Sequence, residues 1–110
     1  MAFDEKLAGR VRKALARRRG LTEKRMFGGI AFLAGGHMFC GLNGEDLVVR
    51  VGPAAWGEAL KRRHVRPMDF TGKPLTGYVY VAPPGMRTAA SLKSWVDRGL
   101  AFARTLPPKG

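Results

Sequence analysis

Residues Lys24–Val51 read KRMFGGIAFLAGGHMFCGLNGEDLVVRV, and the reading of this stretch decides the fold. Two glycine turns cut it into three short apolar runs. Ile30 to Leu33 leads into Gly35-Gly36, a pair able to adopt the positive φ of a tight hairpin turn. Met38 to Leu42 then meets Asn43-Gly44, the strongest short hairpin signal in a sequence, and Leu47 to Val51 continues as a β-branched run. A meander of three antiparallel strands is the expected product. Gly28-Gly29 precedes the first run, where a bulge or a close backbone approach is the usual meaning.

Outward from this meander the pattern turns helical. On the N-terminal side, Phe3, Leu7, Val11, Ala14 and Leu15 fall within one stripe at 100° per residue, predicting a helix from Phe3 to about Arg17. Arg18 would point into that stripe, so the helix should end there, with Gly20 as the stop. On the C-terminal side, Gly52-Pro53 places proline at a first helical position, and a short helix from Ala54 to Arg63 would bury Trp56, Ala59 and Leu60. Two further strands are predicted, Val65 to Phe70 and Tyr78 to Val81, around the Gly72-Lys73-Pro74 turn. Pro67 makes the first of them an edge strand. A last helix from about Ala89 to Leu106 carries Leu92, Trp95, Val96, Gly99, Phe102, Ala103 and Leu106 on one face, and Pro107-Pro108 ends it. Gly99, central on that face, suits close packing on a sheet. The predicted order is α-β-β-β-α-β-β-α, an α+β two-layer sandwich with helices on one face of an antiparallel sheet.

The chain has 110 residues, which predicts a single domain over residues 1–110. It carries 20 Lys and Arg against 8 Asp and Glu, a formal net charge of +12. Such a balance favours anionic partners such as nucleic acid, acidic proteins or anionic lipid. Frequent Arg, Ala and Gly are also what codon bias would produce, so composition alone leaves both readings open. The cations that could meet an anionic partner form two clusters. The first is Arg10, Arg12, Lys13, Arg17, Arg18, Arg19, Lys24 and Arg25; the second is Lys61, Arg62, Arg63 and Arg66. No helix-turn-helix or ribonucleoprotein motif accompanies them, so contact would be with phosphates, which give affinity without sequence choice.

Catalytic chemistry is not legible. Cys40, the single cysteine, lies in an apolar run and reads as a core thiol. His37 follows a glycine turn and reads as solvated; His64 sits among arginines. Neither has carboxylates at ligand spacing, so no metal is expected. Met26-Phe27-Gly28-Gly29 lacks the spacing and the Lys-Ser/Thr of a phosphate loop, so no cofactor is expected either. Glu23 and Asp69 read as salt-bridge partners; only a cleft joining them to His64 would suggest an enzyme. No apolar run approaches the ~20 residues of a membrane span. With an acidic start and no apolar leader, a cytoplasmic location without membrane contact is the expectation.

Taken together, Met26-Phe27-Gly28-Gly29, the strand Leu47-Val-Val-Arg50-Val51, Phe70-Thr-Gly72-Lys73-Pro74 followed by Gly77-Tyr78-Val79-Tyr80-Val81, and the Trp95-Val96 helix ending in Ala103-Arg-Thr-Leu106-Pro107 resemble the N-terminal domain of the TfoX/Sxy family of bacterial competence regulators. The resemblance covers about residues 3 to 108. It implies an α-β(3)-α-β(2)-α sandwich akin to secretion-chaperone folds. It also implies no enzymatic activity and a part in regulating transcription of DNA-uptake genes together with the cyclic-AMP receptor protein. Met26, Phe27, Gly28, Gly29, Gly72, Gly77 and Trp95 become structural signature residues. The two-domain regulator has a C-terminal domain as well, and this chain is expected to be the N-terminal domain by itself. The function expected is that of a small non-enzymatic regulatory module. It would act by contact with a protein partner, be it the transcription machinery, a regulator or a second copy in a homodimer, through a sheet face or edge that the helices leave uncovered. Sequence-nonspecific nucleic-acid binding through the two clusters is the alternative.

Overall fold

A computed structural model describes residues 3–26, 29–69 and 72–107. Three helices and a six-stranded antiparallel sheet follow the order α1 (Glu5–Ala14), β1 (Leu21–Met26), β2 (Gly29–Ala34), β3 (His37–Asn43), β4 (Asp46–Arg50), α2 (Pro53–Leu60), β5 (Val65–Asp69), β6 (Pro74–Val81) and α3 (Ala89–Ala103). A short 3-10 turn, Pro83–Met86, precedes α3. The strands lie in the order β1-β2-β3-β4-β6-β5.

The meander is present as β2, β3 and β4. Gly35 and Gly36 both take positive φ, at 58° and 82°, and Gly44 does so at 60°. The expected count of three strands before α2 is nevertheless wrong, because β1 pairs with β2 along its whole length, from Leu21↔Ala34 to Met26↔Gly29. LTEKRM has no apolar alternation because it is an edge strand with one neighbour, and ladder hydrogen bonds do not depend on side-chain type. Gly29 is therefore the first residue of β2, opposite Met26, and not a bulge; it is a close backbone approach, where a Cβ would collide with the Leu42 carbonyl. Phe27, Gly28, Phe70 and Pro108 lie outside the described residues. The irregularity in this region is instead at Phe32/Leu33, where the β2–β3 register shifts.

Helix ends move as well. Asp4 caps α1, its carboxylate accepting from the Lys6 and Leu7 amides at 2.9 and 3.3 Å. The helix stops at Ala14, earlier than Arg17, with Leu15 as its C-cap. Ending there lets Arg18 leave the apolar stripe and reach Asp97 at 2.8 Å. Gly20, at φ 74°, opens β1 and is not the helix stop. Helix α2 ends at Leu60, and burial there is complete only for Ala59, with Trp56 and Leu60 partly covered. β5 is an edge strand, as Pro67 requires.

The helices cover one face of the sheet. Leu7, Val11, Leu92, Trp95, Val96 and Leu100 pack on Ile30, Phe32, Cys40, Leu42, Leu47, Val49, Val79 and Val81, all buried. The closest approach is at Gly99, where a Cβ would collide with the Phe39 carbonyl and crowd Val49. Only glycine lets α3 seat this closely on β3.

Candidate binding surfaces

The sheet face that the helices leave uncovered is apolar too. Cross-strand registers place Ala31, Gly41, Val48 and Tyr80 side by side across β2, β3, β4 and β6. Val48, Met68 and Tyr80 form a second buried cluster, with Met38 and Tyr78 packed against it. A groove of about 210 Å³ opens here, with Ala31, Gly41's neighbour Met38, Val48, Met68, Leu75 and Tyr78 among its walls. Gly41 keeps the floor low: a Cβ there would sit 2.6 Å from the Ile30 carbonyl oxygen and 3.0 Å from the Met38 methyl. Leu75, on one wall, is the exposed large hydrophobic side chain among the described residues, at 38%.

The rim of this face is polar and tied down. Arg66 donates to Asp46 at 2.6 Å and lies 4.7 Å from the Tyr80 ring centroid, and Asn43 donates to the Tyr80 hydroxyl at 3.2 Å. Arg50 lies 5.4 Å from the Tyr78 ring centroid. The groove is thus an apolar trough with fixed polar edges, suited to an apolar side chain that brings its own hydrogen-bonding backbone.

The two basic clusters are divided between structural and unpaired cations. Arg12 donates twice to the Glu23 carboxylate, at 2.9 Å each, which raises the arginine pKa and lowers that of Glu23. Arg10 donates to the Met86 carbonyl at 2.8 Å, holding α1 to the turn before α3. Arg25 stacks on Phe3 at 5.2 Å. Arg62 donates to Glu58 at 3.0 Å, Arg98 to the same carboxylate at 2.6 Å, and both guanidinium groups stand over Trp95, at 5.7 and 5.0 Å. Together Arg98 and Arg62 hold the Glu58 pKa below the usual carboxylate range. Among the described residues, Lys13, Arg17, Arg19, Lys24, Lys61 and Arg63 make no ion pair.

The signature residues have structural surroundings. Met26 and Gly29 close the β1–β2 pairing. Gly77, at φ 92°, accepts from the Val51 and Gly52 amides at 2.8 and 3.1 Å, and Gly72 takes φ 81° before β6. Trp95 is 6% exposed beneath its two arginines.

Reactive groups do not converge. Cys40 is fully buried, and burial pushes its thiol pKa well above the ordinary range, so it is a poor nucleophile. His37 is not simply solvated: its Nε2 donates to the Pro107 carbonyl at 2.7 Å. Glu23 on β1 and Asp69 on β5 stand at opposite edges of six strands, five spacings or about 24 Å apart, so they share no cleft with His64. The described residues hold no group of three or more His, Cys, Asp or Glu able to bind a metal. No described helix is long and apolar enough to cross a membrane.

Sequence reasoning pointed to a sheet face or edge left uncovered by the helices and missed the groove within it. Its signal was present: GIAFLA and HMFCGLN are apolar on both faces, whereas a strand with one wet face alternates. A protein-family model described as the TfoX N-terminal domain matches residues 13–103. Neither a curated protein nor a solved structure matches the chain.

Proposed function

We propose that this chain, which belongs to the TfoX N-terminal domain family, is a non-enzymatic regulatory module that binds a protein partner through the open face of its sheet. The observation that carries this reading is the apolar groove walled by Met38, Val48, Met68, Leu75 and Tyr78. Methionine walls adapt their shape to a ligand, and fixed polar edges set its orientation. A link to transcription regulation, a cytoplasmic setting and the secretion-chaperone-like fold that the resemblance implies belong to the same proposal. A transcription component and a second copy of this chain are the partners it admits.

The test is site-directed photocrosslinking in cells. A benzophenone side chain at Leu75 is expected to capture a protein, and Met38→Lys, which puts a charge on the groove wall, is expected to abolish the adduct. Adducts that survive Met38→Lys, or that form equally from Arg104 on the helical side, overturn the reading. An adduct at twice the chain mass identifies self-association.

Sequence-nonspecific nucleic-acid binding is a second reading. It is favoured by the eight cations of the two clusters that have no carboxylate partner among the described residues: Arg10, Lys13, Arg17, Arg19, Lys24, Arg25, Lys61 and Arg63.

A further inference from the structure

The two basic clusters, far apart in sequence, approach one another at α3. At 100° per residue, Ala89, Leu92 and Lys93 lie on one flank of this helix, and Ser91, Ser94 and Trp95 lie on the opposite one. A hollow of about 280 Å³ opens on each flank. Arg10 and Lys13 of α1 join Lys93 around the first. Arg62 and Arg63, from the turn between α2 and β5, line the second together with Ser94. No carboxylate is among the described residues lining either hollow.

The crest of α3 between the hollows is low. Ala90 and Ser94 are exposed there and small. The helix has one carboxylate, Asp97, and it is already held by Arg18 at 2.8 Å and Lys93 at 2.7 Å. Arg10 is fixed in place by the carbonyls of Met86 and Arg87, at 2.8 and 3.2 Å. Arg62 uses its Nε on Glu58, and among the described residues its terminal nitrogens form no hydrogen bond.

We propose that the two hollows seat phosphates from the two strands of a duplex nucleic acid, with the first two turns of α3 facing the groove between them. This rests on the nucleic-acid reading and gives it a place. A helix with its side chains is about 10–12 Å across, so the two hollows, one on each flank of α3, are separated by at least about that width. The major groove of B-DNA is about 12 Å wide and admits a helix. Alanine and serine on the crest allow close approach but offer little to base edges, so binding is independent of sequence.

The experiment is fluorescence anisotropy of a labelled random-sequence duplex, and of the matching single strand, across a salt series. Duplex is expected to bind more tightly than single strand. If Arg10, Lys13, Lys93, Arg62 and Arg63 each neutralise one phosphate, log affinity falls against log salt with a slope of about −4.5. Lys13→Ala and Arg63→Ala, both exposed side chains, should each weaken binding about eightfold at 0.1 M salt and reduce the slope by about 0.9. Lys73→Ala removes the same charge at the β5–β6 turn, away from α3, and should leave the slope unchanged. If Lys73→Ala costs as much as the other two, the contact is diffuse charge; the α3 site then fails while nucleic-acid binding stands. A preference for single strands overturns the two-strand seat. Absence of any salt-sensitive binding defeats both the site and the reading beneath it.

Discussion

The two faces of the sheet are both apolar, yet they are covered by different means. On the helical face Phe32, Cys40, Leu42, Leu47 and Val49 project large or medium side chains into α1 and α3, and Phe39 and Val49 reach zero exposure. On the open face the central positions are Ala31, Gly41 and Val48, and the covering layer is made of side chains from the sheet itself: Met38, Met68, Tyr78 and Tyr80. Val48 is only 3% exposed without any helix above it. An apolar strand face therefore does not by itself demand a second helical layer. Two methionines and two tyrosines arching over small residues are enough to exclude most water, and because they are not close-packed from above they leave a trough. The helical face supplies stability; the open face trades some of it for room to bind.

That contrast has a direct consequence for stability. Phe39→Ala removes a fully buried ring from beneath α3, where the Gly99 contact holds helix and sheet too close to collapse inward. A loss of about 4 kcal/mol is expected, the range for a large core aromatic whose cavity cannot relax. Urea unfolding of the variant measures it. Met68→Ala on the open face removes a side chain of comparable burial, 6% exposed, but the space it leaves joins the trough and admits water. The expected cost is about 2 kcal/mol, the lower end for truncation of a buried methionine. Equal losses for the two variants would mean that the open face is packed as tightly as the other.

How much of this was readable in advance follows from the same physics. The hairpins were legible because Gly35-Gly36 and Asn43-Gly44 need positive φ, a local demand that tertiary packing does not alter. Helix α3 was legible from its apolar face, and Gly99 from its position on it. Strand β1 was not, because an edge strand draws its order from backbone pairing, and Lys24 and Arg25 read as part of a charge run. The charge run also concealed which arginines are structural: Arg12, Arg18 and Arg66 are matched to acids 11, 79 and 20 residues away, pairings that only the fold creates, whereas the Arg62–Glu58 pair is local, four residues apart. The groove depends on strand registers, which place Ala31, Gly41 and Val48 in one row. The unbroken apolar runs announced two buried faces without saying what would cover the second.

The smallest effect concerns the margin where the two faces meet at β1. Its helix-facing side packs the partly buried Leu21 on the core and is joined to α1 by the Arg12–Glu23 pair, with those two side chains 43% and 40% exposed. Hydrogen bonding to Arg12 lowers the Glu23 pKa in the folded protein. A depressed carboxylate pKa contributes stability that is present above the unfolded value, about 4.3 for glutamate, and is lost as pH falls through the folded value. Stability should therefore drop on acidification through this window, and Glu23→Gln should drop less than the parent because it has no such proton to take up. Glu58, held low by Arg98 and Arg62, titrates in the same direction, so Glu23→Gln flattens the acid limb without abolishing it. For a pair this exposed the difference between variant and parent should stay below about 1 kcal/mol, since solvent and salt screen the attraction. Chemical denaturation at pH 6 and pH 3 reads it. Superimposable acid limbs would show that backbone pairing with β2 and the packing of Leu21 hold β1 in place, and that the ion pair to α1 contributes nothing at that edge.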